Sequence, residues 1–469
     1  MSLFLSLFLA LPAFAQTPPS APSIATPPTN QKEGLVSPDI SPEEFKVYTE
    51  HPRLLLNARR LRLLRRERDR KSPRWEQFQS LMTGGASMPE RGFSLALYAV
   101  VSEDTAQAKQ AIQWALGPAS DLRQLAFVYD WCQPNLTESQ EKALAAKLVQ
   151  GIEREAKSDS VSSVRSRALA AIALADHVPN ITESTLRTIW NSWWMGKIVP
   201  AIRKNRNAFP LPDSYALLEL MHAIKDNLNF DMRDNALVFF RDFPNHRVIS
   251  YYPATFPAAD NFYHIAQYSG LGEPDLTQAA FNRAADLSIV AYDPNALAHQ
   301  FLQGWLIQDR FIMRGALGSP YEFLWANPYQ PGLSYHHLPT FFHDPQSGIL
   351  ILRSDWEESA TWLSYNRGDM ELFMDGKRSG LQPRAIKEPL EIGQNMVVVG
   401  ENPMQLTLNL AEPTRYFLIG LKPTTNYEVE VDDEELAELA TDAGGVLAIV
   451  FPQSSGTGFR LRESHFQSK

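Results

Sequence analysis

Residues 348–377 read GILILRSDWEESATWLSYNRGDMELFMDGK. They open a stretch whose apolar residues recur with period two, the spacing of strands that bury a face, after roughly three hundred residues patterned with the period of helices. At this seam a helical domain gives way to a sheet. The expected fold is therefore multidomain, α then β, with a helical domain over 46–340 and an antiparallel β-sandwich over 341–469.

Upstream of the seam the helices pair into hairpins with short connections: 91–102 with 103–116, then 121–132 with 137–157. Thr137 and Gln140 form a capping box, and Thr182 is positioned to cap the helix bearing Trp190, Trp193 and Trp194. The same two threonines complete sequons at Asn135 and Asn180, and capping accounts for them. No fixed repeat length recurs, which argues against a regular helical solenoid. Hairpins of unequal length suit an α/α toroid, whose inner helices line a cleft. That closure is an analogy, since periodicity reports hairpins and not rings.

Further upstream, His51 to Asp69 reads as an amphipathic helix capped by Asn57, with Leu61, Leu63 and Leu64 inward. Residues 17–45 are too rich in Pro, Ser and Thr for a periodic element and read as a linker, with a helix start signalled near Pro42. Residues 1–16, MSLFLSLFLALPAFAQ, end in a small-x-small cleavage pattern and read as an export signal, so the expected location is periplasmic or extracellular. The lone Cys132 has no disulfide partner and sits in an apolar helical pattern. Downstream, segments such as MQLTLNL, TRYFLIGL and NYEVEVDD alternate well, enough for a sandwich of roughly seven to nine strands.

Composition narrows the function. The chain has 469 residues, 44% hydrophobic and 21% charged, with a net charge of -9. A phosphate backbone needs a basic face, and a net charge of this sign argues against such a partner, so nucleic acid is not expected. Beyond the leader no segment has the roughly 20 apolar residues of a membrane span.

Polar residues able to do chemistry concentrate in three places. Tyr215 lies at the start of a strong helix, and Asn261, Tyr263 and His264 fall within four residues. A Tyr or His base beside an amide or guanidinium that neutralises a carboxylate is the equipment for removing the proton α to that carboxylate, so these four are the candidate catalytic residues. Asn207, Trp325, Tyr335 and His336 are candidate binding residues, the aromatic ones suited to stacking on sugar faces. Tyr263 and His264 can instead simply close a domain surface, and His222, on an apolar helical face, reads as a core histidine. No spacing matches a metal signature, and neither metal nor cofactor is expected. Glu219, Asp226, Asp234 and Asp260 are carboxylates available to a glycosidase, but no motif places them.

Two segments resemble the heparinase II/III-like and alginate-lyase-like proteins. One is the His-Pro-Arg-Leu-Leu start at His51 followed by an Arg-rich helix. The other is the seam itself, where Arg353 and Trp356 match a Leu-Arg-x-x-Trp strand, followed by Asn366–Gly368 and Phe373 to Gly376. The resemblance implies an α/α toroid with a β-sandwich and β-elimination on an acidic, uronate-containing polysaccharide, and it adds Arg353 to the binding residues. Where the family carries His-x-His-x-Asp, this chain has Asp369-Met370-Glu371-Leu372, so that histidine role cannot be transferred. The resulting expectation is an exported polysaccharide lyase-like protein. The alternatives are a non-catalytic polysaccharide-binding or scaffold protein of the same fold, and a glycoside hydrolase.

Overall fold

The computed structural model describes residues 45–205, 209–228, 230–258, 262–270, 272–309, 313–432 and 434–464. Residues 1–16, read above as an export signal, and, but for its last residue, the stretch 17–45 read as a linker lie outside them. That last residue, Phe45, is buried and meets Phe230 edge-on at 5.8 Å.

Helices occupy the first part and strands the second, as the change of period at the seam predicts. Arg91–Ser102, Leu122–Trp131, Val161–Ala173, Ser214–Asn227, Leu276–Tyr292 and Gly318–Trp325 each pack on the next, and Pro73–Thr83 touches both the last and the first, closing a cycle of neighbours. Every residue of Leu122–Trp131 and of Gly318–Trp325 is buried. A helix apolar on all sides belongs inside, and one with a single apolar stripe outside. Glu138–Glu155 is of the second kind, burying only Leu144, Ala145, Leu148, Gly151 and Ile152. No helix among the described residues is long and apolar enough to cross a membrane.

Local signals largely hold. Asn57 caps Ala58–Asp69 through the Arg60 amide, 3.0 Å away, and the Thr137–Gln140 capping box is present. Thr182 differs from expectation. Pro179 starts the helix, as its fixed φ and missing N–H allow, so Thr182 lies within the first turn and its hydroxyl donates to Ala171 O at 2.7 Å.

Among the described residues the strands from Phe341 onward form three stacked sheets, where the sequence suggests a two-sheet sandwich. The interface sheet runs Phe341–Asp344, Ile349–Arg353, Trp362–Asn366, Asp369–Met374, Lys377–Leu381 in order, all antiparallel. Successive side chains of a strand face opposite ways. Ile351, Trp362 and Phe373 accordingly join the helical core, while Leu350, Leu352, Leu363 and Tyr365 form a second core with the middle sheet. The middle sheet repeats this division. Phe417 and Ile419 face the interface sheet, and Tyr416 and Leu418 join Leu408, Tyr427, Val429, Phe459 and Leu461 of the outer sheet in a third core. One middle-sheet pair is parallel, Asn395–Val399 with Thr414–Ile419.

The interface and middle sheets meet at a tight junction. A Cβ on Gly348, whose φ is +74°, would come within 2.3 Å of Gly444 N, so neither glycine has room for a side chain. Asp442 accepts from His343 Nε2 at 2.8 Å and from the Gly444 and Val446 amides at 2.7 and 2.8 Å.

Candidate active-site cleft

The cleft lies where helices meet the interface sheet. After helix Leu237–Ile249 the chain becomes an extended arm that doubles back, with Phe256–Pro257 paired to Phe262–Tyr263, Tyr251 bridged to Ala266, and the Tyr252 amide donating to Ile265 O at 2.9 Å. Extended backbone alternates its side chains. Phe262 and His264 therefore face a cleft of about 650 Å³, and Tyr263 turns away to pack on the helical core. Tyr251, Tyr252 and Thr255 complete the arm's wall. Trp305 and Gln308 come from helix Leu297–Asp309, Tyr335 from the short turn Tyr335–His337, and Arg353, Trp356, Glu357 and Glu358 from the end of strand Ile349–Arg353 and the turn beyond it.

Arg353 is the charged centre of this cleft. Its side chain is 3% exposed, its Nε donates to Asp355 O at 3.0 Å, and its guanidinium packs over Trp356 at 4.5 Å. Among the described residues no carboxylate forms an ion pair with it. Burial pulls its pKa down to about 10, so it is still charged at neutral pH. A buried charge without a counter-charge is costly, and an incoming anion would relieve that cost.

Aromatic rings surround the guanidinium. Trp356 meets Tyr335 edge-on at 5.5 Å and anchors its indole N–H on Leu338 O at 3.1 Å. Trp305 lies 4.6 Å from the Tyr251 ring and 5.4 Å from His264. Tyr251 donates to Asp286, which is itself paired with Arg247 Nε at 2.8 Å, and this buried set fixes the floor. His336 is exposed at the rim, stacked on Tyr335 at 4.5 Å with its Nε2 3.4 Å from Gln308. Flat apolar ring faces flanked by hydroxyl and amide groups match the two kinds of surface a sugar presents.

Of the sequence-predicted residues, His264, Tyr335 and Arg353 thus line one cleft, with His336 at its edge. Asn207 and Asn261 lie outside the described residues. Tyr215 and Trp325 lie elsewhere, 3% and 2% exposed within the helical core. There Tyr215 donates to Glu219 Oε1 at 2.7 Å and accepts from Trp325 Nε1 at 3.0 Å, while Arg123 grips Glu219 with two bonds of 2.8 and 2.7 Å and Arg165 adds a third at 3.0 Å. Burial and the Glu219 carboxylate hold the Tyr215 hydroxyl well above its ordinary pKa, the wrong direction for a base. Glu219 is wholly buried and neutralised, and His222 bonds Ser288 O at 2.9 Å in the core. Sequence reasoning missed Tyr251, Tyr252, Trp305, Gln308, Glu357 and Glu358. The Tyr251-Tyr252 pair just before the arm was the available signal.

Glu371, within the segment where the resemblance placed histidines, holds the arm to the sheet. It accepts from Tyr252 Oη at 2.8 Å and from Arg378 Nε at 2.5 Å, and Arg378 also donates to the Tyr268 and Gly270 carbonyls at 3.1 and 2.8 Å. A second cleft of about 540 Å³ opens beside this contact, with Phe239, Ser364, Asn366 and Asp369 among its walls, and contains none of the predicted site residues. Among the described residues no three His, Cys, Asp or Glu side chains converge as metal ligands would.

No family model matches the chain, and no curated protein does. Solved structures similar to it include a glycoside hydrolase at 10% identity, covering 83% of this chain and 74% of that one, with a TM-score of 0.29. The heparan sulfate lyase HepC from Pedobacter heparinus is similar at 11% identity over 80% of this chain and 76% of its own, with a TM-score of 0.35. A β-arabinofuranosidase is similar at 11% identity over 90% and 80%, with a TM-score of 0.20. Likeness this distant assigns neither a family nor an activity.

Proposed function

We propose that the cleft binds an acidic saccharide and that the protein acts on it as a lyase. The observation that carries this is Arg353, buried, charged and without an ion-pair partner among the described residues, at the centre of an aromatic-walled cleft. A uronate carboxylate supplies the missing counter-charge while its ring stacks on the walls. Pairing to the guanidinium also withdraws charge from the carboxylate, which acidifies the proton on the adjacent carbon.

His264, on the same cleft, is the candidate base. It takes the C5 proton, the C4–C5 double bond forms as the C4–O4 bond breaks, and the same imidazolium returns the proton to the departing oxygen. Tyr263, its neighbour, faces the core and drops out of this role. The cycle of helix contacts supports an α/α toroid over 46–340 with a sheet domain over 341–469, and the apolar leader supports export, as the sequence suggests.

Incubation with uronate-containing polysaccharides, followed by ultraviolet absorbance of the unsaturated product, tests the activity. Product is expected with the native chain and not with Arg353→Gln or His264→Gln. Binding that depends on Arg353, without product from any polymer, would leave the cleft as a non-catalytic binding site. Reducing ends without a double bond would make it a hydrolase.

A further inference from the structure

We infer that the cleft selects saccharides in which an acidic residue is isolated among neutral ones, and rejects densely charged polyanions. This rests on the acidic-saccharide reading above and narrows it.

The distribution of charge around Arg353 carries the inference. Among the described residues that line it the cleft holds one buried guanidinium, and the turn that follows it places Glu357 and Glu358 on the lining, both exposed and neither in an ion pair among the described residues. Asp355, also exposed, turns its carboxylate to the Glu357 amide at 2.8 Å and to the Ser354 hydroxyl at 2.9 Å. Its backbone carbonyl holds Arg353 Nε. One positive charge therefore sits at depth with two negative charges on the lining beside it, on a chain whose net charge is -9.

A carboxylate that reaches Arg353 is drawn inward, because the guanidinium is desolvated and no carboxylate among the described residues is in ion-pair contact with it. A second carboxylate or a sulfate on the next sugar finds no further lysine or arginine among the described lining residues and meets Glu357 and Glu358 there. Like charges that share one partly desolvated cleft repel, and the repulsion is screened beyond a Debye length of about 8 Å at physiological salt. Neutral hydroxyls at those positions suffer no repulsion and can be hydrogen-bonded by Gln308 and Thr255 on the same lining.

Calorimetric titration of the full chain with defined probes tests this. The probes are a xylotriose bearing a single glucuronate, tetragalacturonate, and a heparin tetrasaccharide. At low salt the single-acid probe should bind roughly tenfold or more tighter than either polyanion, with the gap narrowing as salt rises. Glu357→Gln with Glu358→Gln, both on exposed positions, should raise affinity for tetragalacturonate more than for the single-acid probe. Equal or tighter polyanion binding by the native chain, or a preference unmoved by the double variant, would overturn the selectivity while binding lost in Arg353→Gln upheld the acidic site. Absence of binding by all three probes would overturn both.

Discussion

The indole N–H of Trp362 donates to the carbonyl of Ile249 across 2.8 Å, joining the middle strand of the interface sheet to the last turn of helix Leu237–Ile249. The Trp362 ring is fully buried against Tyr252, whose side chain also lines the cleft. Trp362→Phe leaves that carbonyl without its donor and should cost about 1–3 kcal/mol, and Trp362→Ala about 3–5 kcal/mol. Urea unfolding followed by circular dichroism measures both. An unmoved midpoint would mean that this contact does not hold the sheet to the helices.

Arg353 should show binding and stability pulling in opposite directions. Its pKa in the folded chain, about 10, lies below the ordinary 12.5, so folding disfavours its proton and the cost is present in full below pH 10. Arg353→Met should therefore leave the thermal midpoint unchanged or raised. The same change should remove roughly 2–5 kcal/mol of binding to an acidic saccharide. Scanning fluorimetry with titration calorimetry checks the pair, and a marked loss of stability would assign Arg353 a structural role.

Glu219 is the opposite case, a buried charge whose partners are all present. Burial alone would raise its pKa, and Arg123 and Arg165 more than reverse this, so it is lowered below 4.5. Its contribution is present above the unfolded value and lost as pH falls through the folded one. Glu219→Gln takes the carboxylate from Arg165 and leaves Arg123 with Glu90 alone, at 2.8 Å, and should cost about 3–5 kcal/mol near neutrality. The gap between variant and native chain should close in strong acid, as denaturant titrations at stepped pH would show.

Three histidines set acid sensitivity in a higher window. Burial lowers His246 to about 4, with Arg247 adding to it, and likewise brings His299 to about 4, while His222 is held well below 6.5 by burial and then by Arg60. The unfolded chain takes up protons that the folded chain refuses, so stability is full above pH 6.5 and falls as pH drops toward 4. Each histidine contributes about 1.4 kcal/mol per pH unit in that window. Calorimetry should show the unfolding temperature declining from pH 6.5 downward, and His222→Gln should shallow the slope.

The order of helices and strands was legible because period is a local property, and so were the caps at Asn57 and Thr137. The third sheet was not. TRYFLIGL was read as one alternating face, yet Tyr416, Phe417, Leu418 and Ile419 are apolar without a break, the mark of a strand buried on both sides. The site was half legible. His264 and Tyr335 could be named from their chemistry and Arg353 from the resemblance of its strand, whereas excluding Tyr215 required knowing that helix Ser214–Asn227 is enclosed and that Glu219, one turn on, is held by two arginines. Glu357 and Glu358 stand within the stretch that reveals the fold, but nothing in their spacing shows that the turn brings them beside a buried cation.

The doubly covered middle sheet bears on how this protein could be shortened. A chain ending at Leu381 would keep every described residue of the cleft, yet would expose the face formed by Leu350, Leu352, Leu363 and Tyr365. Such a fragment offers a sticky apolar plane to its own copies and would precipitate rather than serve as a minimal enzyme. The distal sheets, remote from the cleft, are what keep that plane from water.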